Sequence, residues 1–219
     1  MGKKLFVIGD IHGTYDKFMS LMEKINSKRT NNDLLVFLGD YIDRGPDSFK
    51  VVEYIIQLQN KICLLGNHES MLQTATWLST NTVLWFMNSS STTKKSYREV
   101  YPDLSFKEAL AVSKHEKFYK NLKLFYETDD FFFVHAGVNP YNGIEWSKKD
   151  IPTLTWIRED FLEANDYSKL NKIIVHGHTI NINGPTFDEY KIGLDTGSFL
   201  PNGKISCVIF PNLNVLQSE

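Results

Sequence analysis

The sequence predicts an α/β fold in which a mostly parallel sheet is covered by helices. Three apolar runs near the start of the chain indicate this, because each is followed by a polar turn and then by helical spacing of apolar residues. The runs are Leu5 to Ile8, Leu34 to Leu38 and Lys61 to Leu65. Alternating strands and helices are typical of parallel sheets with helices packed on their faces. We therefore expect the polar turns to meet at one edge of the sheet.

Two helices are predicted between these strands. Tyr15 to Ile25 and Phe49 to Leu58 both place apolar residues three and four positions apart. This spacing puts the apolar side chains on one face of a helix. Both helices are therefore expected to pack against the sheet.

The middle of the chain predicts a helical insert from Ser70 to about Tyr119. Within it, the polar run Asn88 to Ser96 predicts an exposed loop, and His115 is interpreted as a solvated helix residue because charged residues flank it. About fifty residues would be marginal as a separate domain. We therefore expect one domain, residues 1–219, with a helical cap insert at about 70–120 beside a site.

The second half of the chain is richer in strands. Phe125 to Thr128 and Phe131 to Val134 flank an acidic turn and predict a hairpin. Leu154 to Leu162 predicts a helix. Three further strands are predicted at Lys172 to Val175, Tyr190 to Leu194 and Ile205 to Phe210.

The composition is that of an ordinary soluble protein. The 219 residues are 42% hydrophobic and 23% charged, with a formal net charge of −2. This charge gives no general attraction to nucleic acid or to an anionic membrane. Cys63 and Cys207 both lie in apolar runs and are interpreted as buried thiols rather than a disulfide. We expect a cytoplasmic monomer with no nucleic-acid or membrane partner.

Polar side chains that can bind metals collect where the predicted strands end. They are Asp10, His12, Asp40, Asp43, Asn67, His68, His135, His176 and His178, and they include five of the six histidines. Mixed oxygen and imidazole ligands suit Mn, Fe or Zn. There are too many ligands for one ion with an open position. Two ions that share a carboxylate, the arrangement used to hydrolyse phosphoesters, account for them better.

These residues fall in motifs that resemble a known family. Gly9-Asp10-Ile11-His12-Gly13, Gly39-Asp40-Tyr41-Ile42-Asp43-Arg44-Gly45 and Gly66-Asn67-His68-Glu69 resemble, in order and spacing, the signature motifs of PPP-type metallophosphatases. His135-Ala136-Gly137 and Gly177-His178-Thr179 resemble histidine motifs of the bacterial and phage branch. The resemblance covers nearly the whole chain. It implies a calcineurin-like metallophosphoesterase fold, with a central β-sandwich flanked by helices and a dinuclear metal centre.

The resemblance also implies the metal ligands. They would be Asp10, His12, Asp40, Asn67, His135 and His178. Asp40 would bridge two divalent ions, which we expect to be Mn, with Fe or Zn as alternatives. His176 is interpreted as a donor to a ligand or a packed residue. Asp195 is interpreted as supporting the site without ligating.

The remaining roles implied by the resemblance are catalytic. His68 would protonate the leaving oxygen and Asp43 would orient it, as an imidazole general acid requires. Arg44 would bind phosphate, and Arg158 resembles a second phosphate-binding arginine. Attack would be direct, by a metal-activated hydroxide, with no phosphoenzyme.

The predicted activity is that of a metal-dependent phosphomonoester hydrolase. We expect a serine/threonine protein phosphatase that can also act on phosphotyrosine. The alternative is a diadenosine tetraphosphate hydrolase, for which Trp77, Trp85 or Tyr97 could supply an aromatic shelf for the purine. A non-enzymatic alternative is a metal-bound binding module that has lost catalysis. No predicted ligand and no predicted acid is missing from the sequence.

Overall fold

Two five-stranded sheets lie at the centre of the computed structural model, which describes residues 3–77 and 82–219. In spatial order, the first sheet contains β10 (Asn214–Gln217), β9 (Ser206–Phe210), β1 (Leu5–Ile8), β2 (Leu34–Phe37) and β3 (Lys61–Cys63). The second contains β4 (Phe125–Glu127), β5 (Phe131–Val134), β6 (Ile173–His176), β8 (Lys191–Gly193) and β7 (Thr186–Phe187). The α/β class and the paired sheets agree with the calcineurin-like fold that the motifs imply.

The strands that lead into the motifs are parallel. In the first sheet, β1 pairs with β2 and β2 with β3 in parallel, while β9 is antiparallel to β1. In the second, β5, β6 and β8 are parallel, and β4 and β7 are antiparallel additions at the edges. Each sheet is thus mixed. Strands β7 and β10 were not predicted from the sequence.

An apolar core lies between the two sheets. It includes Val7, Val36, Leu38, Phe133, Val175, Val208 and Phe210, each at most 2% exposed. All four residues of β2 are buried, since helices cover the outer face of the first sheet. Burial on both faces explains why this strand reads as a continuous apolar run.

The two predicted helices of the first half are confirmed as α1 (Tyr15–Asn26) and α2 (Ser48–Gln57). In α1 the apolar residues at helical spacing, Phe18, Leu21, Met22 and Ile25, are all buried. Asp47 and Thr14 precede the helices, at the ends of the polar turns that the sequence singled out.

The described part of the insert contains five helices. They are α3 (Asn67–Trp77), α4 (Thr82–Met87), α5 (Ser90–Val100), α6 (Phe106–Val112) and α7 (His115–Lys120). Residues 78–81 of the predicted cap lie outside the described residues. The cap itself and the single domain 1–219 stay predictions.

The prediction of an exposed loop at Asn88 to Ser96 is wrong, because α5 occupies most of it. Ser90, Thr93 and Ser96 are buried on one face of this helix. The hydroxyl of Ser96 accepts the backbone N–H of Phe49 at 2.8 Å, at the start of α2. Small hydroxylated side chains at helical spacing here mark a packed face, although their polarity suggested solvent.

The interpretation of His115 as a solvated residue is also wrong. Its side chain is fully buried, with Nδ1 2.6 Å from the hydroxyl of Tyr97 and Nε2 2.9 Å from a carboxylate oxygen of Glu53 on α2. The hydroxyl of Tyr97 is in turn 3.0 Å from that of Tyr119. Because both ring nitrogens are satisfied, His115 can be buried and tie α5 and α7 to α2.

The helix predicted from Leu154 to Leu162 is interrupted. The structure has α8 (Ile144–Ser147), α9 (Ile151–Trp156) and α10 (Glu159–Leu162), and Ile157 and Arg158 separate the last two.

Cys207 is buried, Cys63 is partly buried, and both are free thiols. Among the helices of the described ranges, none combines the length and the apolar character needed to cross a membrane.

Candidate metal centre and active site

The loops after the parallel strands contain unusual backbone conformations. Nine non-glycine residues of the described chain have positive φ, and five of them are predicted site residues. These are His12 (50°), Asp40 (51°), Asp43 (67°), Arg44 (67°) and His178 (64°). Such angles are strained for residues with a Cβ atom and persist only where surrounding structure enforces them. Their concentration here marks the strand ends as a constrained site.

Two glycines allow these loops to approach one another. A Cβ on Gly177 would lie 2.1 Å from Oδ1 of Asp10, and a Cβ on Gly39, which has φ +112°, would lie 2.9 Å from Nδ1 of His135. No side chain fits at either position. The glycines of the motifs therefore bring the first sheet's loops against those of the second.

The structure brings predicted site residues together in two clusters, four of them predicted ligands and one, His68, the predicted acid. His12, Asp40 and His68 form one, and Asp40, His135 and His178 form the other, with ligand atoms of each within 4.8 Å of one another. All five residues are buried. Asp40 is common to both clusters, as a bridging carboxylate would be.

The proton positions at His135 favour a cation. Its Nδ1 lies 3.0 Å from the carbonyl oxygen of Leu38, to which it donates, so Nε2 carries a lone pair. That Nε2 faces Oδ1 of Asn67 at 3.0 Å and Oδ1 of Asp40 at 3.5 Å. Three electron-rich atoms that face one another are the donor set of a metal ligand sphere.

His12 repeats this arrangement on the other side of Asp40. Its Nδ1 donates to the carbonyl oxygen of Ile42 at 2.9 Å, which leaves the lone pair of Nε2 facing Oδ2 of Asp40 at 3.5 Å. Nε2 of His178 is buried and has no hydrogen-bond partner among the described residues. Burial lowers the pKa of His178 to about 2, so its ring is neutral and can ligate.

Negative charge is concentrated at the same place. Burial, together with the charges of Asp195 and Asp40, raises the pKa of Asp10 well above its usual range. Burial raises the pKa of Asp195 to about 6. Asp10 accepts the backbone N–H of His178 at 3.1 Å. A divalent cation would compensate these buried carboxylates, so the donor set fits metal ions.

His68 contacts Asp43, the residue that the motifs assign to its orientation. Its Nδ1 lies 2.7 Å from Oδ2 of Asp43, and its backbone N–H donates to Oδ1 of Asp40 at 3.1 Å. Its Nε2 is buried and unpartnered among the described residues, 3.9 Å from Oδ2 of Asp40. The geometry leaves one ring nitrogen free to exchange a proton at the site.

Both predicted phosphate-binding arginines lie at the site. The guanidinium of Arg44 donates to Nε2 of His12 at 3.0 Å and lies over the ring of Phe199, 4.3 Å from its centroid. Arg158 donates to the carbonyl oxygen of His178 and to the hydroxyl of Thr179, both at 3.0 Å. One guanidinium is thus placed beside each histidine cluster.

His176 and Asp195 lie outside the two clusters. Nδ1 of His176 contacts the carbonyl oxygen of Gly177 at 3.0 Å, and its ring packs edge-on against Phe161 at 5.3 Å. Oδ1 of Asp195 accepts the N–H of Gly197 at 2.9 Å. Their supporting role stays a prediction.

Of the three residues suggested for an aromatic shelf, two are buried and the third, Trp77, is partly exposed with Lys120 over its ring. Trp85 is 1% exposed and Tyr97 is fully buried, so neither can stack on a substrate. Instead, Trp156 is 37% exposed and meets the ring of His178 edge-on, 6.0 Å between centroids. Trp156 lies within the helix predicted from Leu154 to Leu162, a prediction that gave it no role at the site. Its position two residues before the predicted phosphate-binding Arg158 could have indicated a place at the site.

Three comparisons relate the chain to known proteins. The family model described as calcineurin-like phosphoesterase matches residues 3–210. A zinc-dependent endopolyphosphatase of Saccharomyces cerevisiae is 28% identical over 191 residues, which are 78% of this chain and 58% of that protein. The chain thus spans little more than half of that relative.

A second relative matches over nearly its whole length. The asymmetrical bis(5'-nucleosyl)-tetraphosphatase PrpE of Bacillus mycoides is 28% identical, and the match covers 98% of this chain and 93% of that protein. Among solved structures, a cold-active protein tyrosine phosphatase has a TM-score of 0.70 at 17% identity, covering 98% of this chain and 75% of that one. At this identity the structural likeness shows the fold.

Proposed function

The chain belongs to the calcineurin-like phosphoesterase family, and on that premise we propose that it hydrolyses dinucleoside polyphosphates such as diadenosine tetraphosphate. The observation that carries the proposal is the match to a bis(5'-nucleosyl)-tetraphosphatase over 98% of this chain and 93% of that protein. Because that relative is asymmetrical, we propose off-centre cleavage, which yields ATP and AMP from a four-phosphate bridge.

Two divalent ions are proposed as the cofactor, with Mn as the metal. Asp10, His12 and Asp40 would hold one, and Asp40, Asn67, His135 and His178 the other. When bound, such ions lower the pKa of a shared water and neutralise phosphoryl charge. The buried carboxylates and the lone pairs on His12 and His135 support this assignment.

The side chains at the rim would then act on the phosphate chain. Arg44 and Arg158 each present a planar fork of N–H groups, which matches phosphoryl oxygens and strengthens as their charge grows in the transition state. Each guanidinium is already anchored, Arg44 over the ring of Phe199 and Arg158 on the backbone of His178. Little side-chain conformational entropy would therefore be lost when phosphate binds.

His68 would complete the reaction as general acid. Its Nδ1–H is held by Asp43 at 2.7 Å, so Nε2 would deliver the proton to the leaving oxygen. Proton donation matters most when the leaving group is a strong base. A nucleotide phosphate is a weaker base than a serine alkoxide, and it therefore depends less on His68.

The site also has an exposed aromatic side chain that would bind a nucleobase. Trp156 is partly exposed next to His178, where a base could stack on its face. Stacking of a base on an aromatic side chain contributes about 1–3 kcal/mol. A phosphoserine has no ring to use such a shelf.

The test compares substrates with a single preparation of the enzyme loaded with Mn. Diadenosine tetraphosphate, a phosphoserine peptide and a phosphotyrosine peptide are offered at equal concentration, and nucleotide products are separated by chromatography. The proposal predicts the highest kcat/KM on the dinucleotide, with ATP and AMP as products. Two ADP would show symmetrical cleavage.

Other outcomes would support the functions that the motifs also predict. Preference for a phosphopeptide would replace the proposal with a phosphoprotein phosphatase of the PPP branch. Metal binding without hydrolysis of any of the three substrates would indicate a binding module.

A further inference from the structure

The helical insert reaches back to the acid–base pair and bonds to Asp43. The carboxylate of Asp43 is fully buried. Its Oδ2 accepts hydrogen bonds from Nδ1 of His68 at 2.7 Å and from the indole N–H of Trp85 at 2.8 Å. Its Oδ1 accepts the hydroxyl of Thr93 at 2.5 Å. Two of these three side-chain donors belong to the insert.

Thr93 supports the backbone of Asp43 as well. The N–H of Asp43 donates to the hydroxyls of Thr93 at 2.9 Å and Ser48 at 3.1 Å, which are themselves 3.0 Å apart. Asp43 has φ 67°, a strained value for a residue with a Cβ atom. These bonds therefore stabilise a conformation that the loop would otherwise leave.

Trp85 and Thr93 cannot reach a substrate themselves. Trp85 is 1% exposed and Thr93 is fully buried. They lie on α4 and α5, 42 and 50 residues along the chain from Asp43. Any effect that they have on the reaction must pass through Asp43 and from there to His68.

We propose that Trp85 and Thr93 are positioning residues for the acid–base pair, so that the insert forms part of the catalytic apparatus. Hydrogen bonds to a carboxylate are among the stronger ones in proteins. Two donors fixed in helices set the plane of the Asp43 carboxylate, and this plane sets the direction of Nε2 of His68. The inference rests on the proposed function only in taking His68 as the general acid.

The test uses substitutions that remove one hydrogen bond and little volume. Trp85→Phe keeps an aromatic ring and loses the indole N–H. Thr93→Val loses the hydroxyl, and Thr93→Ser restores it. Tyr97→Phe is the control, because it removes a buried hydroxyl of α5 that contacts His115 and Tyr119 and does not contact Asp43.

Each variant is assayed on p-nitrophenyl phosphate and on phenyl phosphate, which have similar shapes and differ in leaving-group basicity. For Trp85→Phe and Thr93→Val we expect kcat on phenyl phosphate to fall about 10-fold or more, a fraction of the usual range for acid–base catalysis. On p-nitrophenyl phosphate the loss should be several-fold smaller. KM and metal content should stay unchanged. Thr93→Ser and Tyr97→Phe should match the wild type.

Equal losses on both substrates, or losses that follow metal content, would overturn the inference and assign these residues to packing. Unchanged rates in both variants would also overturn it. A second measurement needs no activity: the proton NMR signal of the His68 Nδ1–H bonded to Asp43 should shift or broaden in Trp85→Phe and Thr93→Val only. An unaltered signal would contradict the inference. Failure on diadenosine tetraphosphate, with intact leaving-group behaviour, would reject the proposed substrate alone.

Discussion

Glu69 accepts the backbone N–H of Asp40 on a carboxylate oxygen at 2.9 Å. The same carboxylate accepts the N–H groups of Tyr41 at 2.8 Å and Gly66 at 3.2 Å. The last residue of the third motif thus holds the backbone of the second. This contact fixes Asp40, whose φ is 51°, at the centre of both histidine clusters.

Glu69→Gln should therefore destabilise the protein. A glutamine amide would turn an N–H₂ group toward backbone N–H donors, and a buried unsatisfied donor costs about 1–3 kcal/mol. Urea unfolding should show this loss in the free energy of unfolding, and metal content should fall with it because Asp40 is displaced. Exchange of exposed Glu163 for Gln is the control. Wild-type stability and metal content in Glu69→Gln would refute the role.

His68→Asn should retain metal and lose activity. The asparagine cannot donate a proton from the position of Nε2, so the rate on phenyl phosphate should fall about 10²–10⁴-fold. The loss on p-nitrophenyl phosphate should be smaller. Steady-state kinetics and metal analysis check this. A variant that loses a metal ion instead would make His68 a ligand, as its place beside His12 and Asp40 also allows.

Asp40→Asn should disturb both metal ions together. Asp40 is the carboxylate shared by the two clusters, and it is 2% exposed. Elemental analysis should find less than one ion per chain, and a chelator should abolish wild-type hydrolysis until Mn is restored. Asp103→Asn, at an exposed position, should keep wild-type metal content. Two ions per chain in Asp40→Asn would contradict the role of Asp40 as the carboxylate that bridges the metals.

Trp156→Ala should weaken binding of the dinucleotide. Loss of a stacking surface of about 1–3 kcal/mol corresponds to a rise of about 5- to 150-fold in KM for diadenosine tetraphosphate. KM for a phosphoserine peptide should change little. The matched control is Trp146→Ala, since Trp146 is 45% exposed on α8, outside the candidate site. Equal effects of the two substitutions would exclude a shelf at Trp156.

The stability contribution of His115 should depend on pH. Burial lowers the pKa of His115 below its usual value, although Glu53 opposes this. The unfolded chain therefore binds a proton at a higher pH than the folded one, so this contribution is complete above about pH 6.5 and is lost as pH falls toward the folded pKa. Unfolding curves of His115→Gln should show a shallower loss of stability between about pH 6.5 and 5 than the wild type. Parallel pH profiles would contradict this.

Local sequence patterns determined most strands of the two sheets, the helices α1 and α2, and the residues of the candidate site. A strand that ends in Gly with Asp or His can be recognised from a few consecutive residues, because the alternation of side chains and the choice of turn residues are local properties of the sequence. Asp10, Asp40, His135 and His178 were all predicted this way, and the structure brings them to one place. Their ligand roles stay predictions.

Only the tertiary structure decided which distant residues support that site. Nothing near Trp85 or Thr93 indicates that they bond to Asp43, since a hydrogen bond across 42 or 50 residues depends on how helices pack. The charged residues around His115 likewise led to a wrong prediction of solvent exposure, because the burial of His115 depends on its contact with Glu53 on another helix. The sequence by itself determined the candidate catalytic groups through local chemistry. Long-range packing decided what holds them, and the sequence does not display that packing in any single segment.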